Sequence, residues 1–104
     1  MNKPFPLVFA ALGDPTRLAM VEQLARESAP ATALSGPIDL SQQACSKHVR
    51  ILVEAGLVRQ EKRGRQRVCI LERERLEEAM AWMQAQLTGP EPDWVVTAFD
   101  PAMD

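Results

Sequence analysis

Gln43, Ser46, Lys47 and Arg50 stand at i, i+3, i+4 and i+7, so on a helix they line one face. That face offers amide, hydroxyl and cationic groups, with no carboxylate before Glu54. The mixture suits the base edges and phosphates of double-stranded DNA, because amides and hydroxyls read bases while cations hold the backbone. Gln43 and Ser46, near the helix start, are the candidates for base contacts; Lys47 and Arg50 are the candidates for phosphates. Ser41, the expected N-cap, and Gln42 complete the set. Further on, residues 62–67 hold four cations and no anion. Arg63, Arg65 and Arg67 there suit a narrow, negative minor groove and its flanking phosphates.

A second chemistry is available in principle. Cys45 and His48 lie at i, i+3, a spacing that can join a thiolate to an imidazole for nucleophilic attack or metal binding. Cys45, however, shares an apolar stripe with Val49, Leu52 and Val53, where a buried thiol is neutral and inert. Neither an orienting carboxylate at an evident spacing nor a glycine-rich cleft loop accompanies it, so the reading is of no enzyme and no catalytic residue. His48, the sole histidine, reads as a phosphate donor or as a satisfied polar residue at the helix edge. Cys69 reads as packing, with thiol-based redox sensing as the alternative if it is partly exposed.

Several elements must position these groups. Phe5, Val8, Phe9 and Leu12 are spaced for a short first helix closed by Gly13, and Asp14-Pro15 caps a second with Leu18, Val21, Leu24 and Ala25 as its buried stripe. A short helix near Ala31–Ser35 stops at Gly36-Pro37, and Ile38-Asp39-Leu40 then leads tightly to Ser41. The recognition helix spans about 41–55 and ends at Gly56. The period then changes to two: Leu57–Glu61 and Arg67–Leu71 make a hairpin, the wing, over about 59–70 with its apex near Arg63-Gly64-Arg65. A last helix carries Leu76, Ala79, Met80, Met83 and Leu87 on one face, more apolar surface than so small a domain covers alone. With Phe5, Val8 and Phe9 of the first helix, these residues form the expected dimer interface. An inducer pocket lined by Met80, Trp82 and Met83 is the less common alternative to packing.

Charge is distributed accordingly. The net charge of −2 alone argues against nucleic acid. Residues 41–75, however, carry nine basic and four acidic side chains, whereas residues 76–104 carry six acidic and no basic ones. At 104 residues the chain reads as one domain over 1–88, followed by an extended acidic tail over 89–104 whose Trp94–Phe99 segment docks as a strand or stays free. No apolar run long enough for a membrane span or a signal peptide occurs, and two cysteines make no disulfide framework, so a cytoplasmic location is expected.

Residues 5–87 resemble the ArsR/SmtB family of winged-helix bacterial transcription repressors. The resemblance is carried by Ala11-Leu12-Gly13-Asp14-Pro15-Thr16-Arg17-Leu18, by Leu40-Ser41-Gln42-Gln43-Ala44-Cys45-Ser46-Lys47-His48-Val49, and by Leu52, Glu54-Ala55-Gly56-Leu57-Val58 and the Arg-rich wing. It implies a mainly α fold with a small β-hairpin, a winged helix-turn-helix dimerised through its first and last helices. It further implies a recognition helix in each major groove, a wing along each minor groove, and repression at an inverted-repeat operator. The chain departs from the metal-sensing members: Ala31–Ser35 holds no cysteine and the last helix no histidine, so neither family metal site can be built and no cofactor is expected. The rival from another class is a winged-helix module that binds an acidic protein partner through the wing and the tail.

Overall fold

Capping chemistry sets the helix ends in the computed structural model, which describes residues 5–35 and 40–89. Helix α1 spans Pro6–Leu12 and closes at Gly13, whose N–H donates to the Ala10 carbonyl. Helix α2 spans Pro15–Arg26, and its N-cap Asp14 accepts the Arg17 backbone N–H at 3.0 Å. Helix α3 is Ala31–Ser35. Helix α4, Gln42–Glu54, starts at Ser41, whose hydroxyl accepts the Ala44 N–H at 3.1 Å. It ends where Gly56 takes φ 82°, which lets the Gly56 and Leu57 N–H groups reach back to the Val53 and Leu52 carbonyls. Only a residue without a Cβ enters that left-handed turn cheaply.

Strands β2 (Val58–Arg63) and β3 (Gln66–Leu71) form the wing, in a register from Val58 opposite Leu71 to Arg63 opposite Gln66. Both run further toward the apex than the sequence suggests, and Gly64 and Arg65 make the turn, Gly64 with φ 64°. A two-residue strand β1, Ala29–Pro30, pairs antiparallel with β3 and completes a sheet of order β1-β3-β2. No local sequence signal announces this strand. Its proline lacks an N–H, and only an edge position with a ready-made neighbour accommodates it. Helix α5, Arg73–Thr88, follows.

One core joins all of these elements. Val8, Ala11, Met20, Val21, Leu24, Leu34, Cys45, Val49, Leu52, Leu57, Val58, Cys69, Leu71 and Ala79 are buried in it. Two expectations are corrected there. On α2 the buried stripe is Met20, Val21 and Leu24, while Leu18 and Ala25 face out, because the helix turns its neighbouring face toward α4 and the sheet. Val8 and Ala79, assigned by sequence to the dimer interface, are buried inside this chain, at 0% and 3% exposure. Leu76 is partly buried against the same core, whereas Met80, Trp82, Met83 and Leu87 of α5 stay uncovered, all at least 45% exposed. The expected tail from residue 90 on, its strand over 94–99 and the link over 36–39 lie outside the described residues.

Candidate nucleic-acid interface

Burial of Cys45, Val49 and Leu52 fixes the rotation of α4 about its axis and so decides what the opposite face presents. Gln42, Gln43, Ser46, Lys47 and Arg50 are all exposed, as is the capping Ser41. The Cys45 thiol donates to the Ala31 carbonyl at 3.2 Å, tying α4 to α3. Beside the stripe, Ala31, Ser46, Val49, Arg50, Val53 and Gln60 line an open groove of about 270 Å³ between α3, α4 and β2. The polar stripe of α4 and the base of the wing thus share one surface.

The wing has two unlike faces, because alternate residues on a strand point to opposite sides. On one, Glu61 accepts from Arg59 at 3.1 Å and from Arg63 at 3.0 Å, and Arg59 also donates to Glu72. Hydrogen bonds from Arg63 first and Arg59 second hold the Glu61 carboxyl below its ordinary range, and Glu72 above all raises Arg59. The other face sets Lys62 directly opposite Arg67. Neither of these two, nor Arg65 at the turn, has an ion-pair partner among the described residues. Like charges directly opposed across strands destabilise a hairpin, so this face is built at a cost that a polyanion would relieve.

His48 departs from the exposed stripe. Its side chain is only 20% exposed, with Nδ1 at 3.1 Å from Arg17 Nη1 and 3.9 Å from Asp14 Oδ2. No spacing rule could have found this cluster, since Arg17 and His48 lie on different helices. Arg75, which no sequence signal singles out, is buried at the start of α5; its Nε donates to the Ala55 carbonyl at 3.0 Å, and its guanidinium lies 5.6 Å from the Phe5 ring centroid. Beyond it, Phe5, Phe9 and Trp82 form an aromatic cluster with centroids 5.4 to 6.1 Å apart. Cys69 is 0% exposed, and burial pushes its thiol pKa up, so the partial exposure that redox sensing needs is missing.

A helix-turn-helix domain model matches residues 12–61, the stretch from the end of α1 through α4 into the wing. The crystal structure of an ArsR family transcriptional regulator superposes with a TM-score of 0.74 at 35% identity, covering 79% of this chain and 90% of that one. The chain belongs to the ArsR family of transcriptional regulators. The uncharacterized HTH-type transcriptional regulator YuzN of Bacillus subtilis (strain 168) is 29% identical over 92 residues, which are 81% of this chain and all of that protein. The ArsR fold is also shared, at 21% identity and a TM-score of 0.65, with a homodimeric winged helix-turn-helix DNA-binding domain from Mycobacterium bovis, over 79% of this chain and 76% of that one. The chain therefore has a winged helix-turn-helix DNA-binding fold, and among the described residues no helix is long and apolar enough to cross a membrane.

Proposed function

We propose that this ArsR family member is a sequence-specific, homodimeric transcriptional repressor acting in the cytoplasm on an imperfect inverted-repeat operator. The observation that carries the reading is the carboxylate-free polar stripe of α4 lying beside the unpaired cations of the wing. In this reading α4 enters the major groove, with Gln43 and Ser46 at base edges and Ser41, Gln42, Lys47, His48 and Arg50 toward the backbone. Arg63, Arg65 and Arg67 follow the minor groove.

Dimerisation is supported by the uncovered apolar surface. Phe9 on α1 and Met80, Trp82, Met83 and Leu87 on α5 are exposed, and with Phe5 and Leu76 they give a second copy an apolar face. Two copies related by a twofold axis would present their recognition helices to half-sites about one helical turn apart. Selection of bound fragments from a genomic library, followed by footprinting, tests the whole reading. An inverted repeat protected on both arms is the expected outcome. Gln43→Ala with Ser46→Ala should relax the sequence preference, and Met83→Glu should shift the sedimenting species from dimer to monomer and abolish binding. Capture of no consensus, or full binding by a monomeric Met83→Glu, would overturn it.

A further inference from the structure

Arg17 lies on α2, outside the exposed stripe, yet its side chain is committed on three sides. Its Nε donates to the Ala11 carbonyl at 2.8 Å, and its Nη2 adds a second donor at 3.4 Å to the Ala10 carbonyl, which already accepts the Gly13 N–H, so the guanidinium caps the end of α1. Its Nη1 reaches His48 Nδ1 at 3.1 Å. A guanidinium is donor-only and keeps its charge at any relevant pH, so the direction of this last bond is not open: Nδ1 must accept. A neutral imidazole that accepts at Nδ1 carries its proton on Nε2. Asp14 stands on the far side of the cluster; its Oδ2 takes the Arg17 backbone N–H at 3.0 Å and lies 3.9 Å from Nδ1, too far to compete as a hydrogen-bond partner.

From this geometry we infer that Arg17 is a positioning residue for DNA binding: it locks His48 in the Nε2–H tautomer and fixes its ring, so that α4 presents a preset N–H donor to a backbone phosphate. The inference rests on the DNA reading above and deepens it. Arg17 touches no nucleic acid in this scheme; it acts through His48. The lock also fixes the ring relative to α1, because the same guanidinium holds the α1 carbonyls. A donor whose orientation is set before binding loses less rotational freedom when it meets a phosphate than a free side chain does. Lys47 and Arg50, on long exposed side chains, have no such restraint among the described residues.

The chain has one histidine, so its ring nitrogens give a single unambiguous pair of 15N resonances. In the full-length protein at mildly alkaline pH, the expected spectrum shows a protonated Nε2 and an unprotonated Nδ1, with Arg17→Met restoring exchange between tautomers. A protonated Nδ1 in the wild type, or a spectrum unchanged by Arg17→Met, overturns the inference, and the first of these readouts needs no variant to fold. In operator binding by the dimer, Arg17→Met and His48→Ala should each lose roughly a hundredfold in affinity, the scale of one charge-assisted hydrogen bond, about tenfold, at each of the two half-sites. The double variant should lose no more than either single one, whereas losses that multiply would show that Arg17 acts by another route and overturn the inference. Lys47→Ala in the same assay separates the two layers. If it weakens binding while Arg17→Met and His48→Ala are silent, only the present inference falls; if the wild type selects no DNA, the phosphate contact falls together with the DNA reading.

Discussion

Replacing Arg65 by alanine should flatten the salt dependence of DNA binding more than replacing Arg63. Arg63 already donates to Glu61 at 3.0 Å, and Glu61 also holds Arg59 at 3.1 Å, so each of those cations reaches a phosphate only by giving up a carboxylate. Arg65 sits at the turn with no ion-pair partner among the described residues. Removing one cation from a phosphate of duplex DNA lowers the slope of log affinity against log salt by about 0.9. A dimer has two wings, so Arg65→Ala should flatten the slope by about 1.8. Across a fourfold rise in salt, from about 50 to about 200 mM, the variant's loss of affinity would then be about twelvefold smaller than the wild type's. Glu61→Gln should act in the opposite sense, because it frees Arg63 for the backbone while Arg59 stays on Glu72. Fluorescence anisotropy on operator and scrambled duplexes, titrated at several salt concentrations, measures all three. Equal slopes for Arg63→Ala and Arg65→Ala, together with no response to Glu61→Gln, would refute the reasoning that intramolecular pairing divides the wing.

Leu52→Ala removes a side chain that is 0% exposed in the centre of the core; chemical denaturation should show a loss of about 2–5 kcal/mol, with little change in the slope of the transition. Asp14 contributes through pH: the Arg17 backbone N–H, above all, lowers its folded pKa, so its share of stability is present above the unfolded carboxylate pKa and is lost as pH falls through the folded value. Thermal melts of wild type and Asp14→Asn should therefore differ at neutral pH and converge in acid. Cys45 and Cys69 are both buried, so thiol labelling of the native protein at neutral pH should be slow and should become fast only on unfolding. Rapid labelling of either native thiol would contradict the packing described.

The recognition helix was legible in the sequence because every local signal agreed. Ser41 caps it, Cys45, Val49 and Leu52 give the period, and Gly56 supplies the one left-handed residue its end requires. The hairpin was legible for the same reason, with Gly64 at the turn. What sequence reasoning missed depends on partners remote in the chain. Leu18 and Met20 belong to two adjoining stripes of α2, both apolar, and only the positions of α4 and the sheet decide which is buried. Ala29-Pro30 becomes a strand only because Val68 and Cys69 are already extended beside it. Arg75 reads locally as a solvated residue in a charged run, yet the Ala55 carbonyl and the Phe5 ring, from two other parts of the chain, draw it inside. The Arg17–His48 contact joins two helices and was invisible for the same reason.

An acidic chain can serve as a DNA reader because a duplex senses charge over roughly one Debye length, about 8 Å at physiological salt, and not the net charge of the molecule. The internal ion pairs sharpen this selection. Arg59 and Arg63 are held by Glu61 and Glu72, and Arg75 is held by Glu78. Of the cations on α4 and the wing, those left without an ion-pair partner among the described residues are Lys47, Arg50, Lys62, Arg65 and Arg67. Had the carboxylates at Glu61 and Glu72 been absent, seven cations instead of five would compete for phosphates on α4 and the wing, and sequence-independent binding would grow at the expense of discrimination. The pairing therefore limits the electrostatic contribution while leaving the amide of Gln43 and the hydroxyl of Ser46, the base readers of the proposed function, untouched, which is the balance a selective regulator needs.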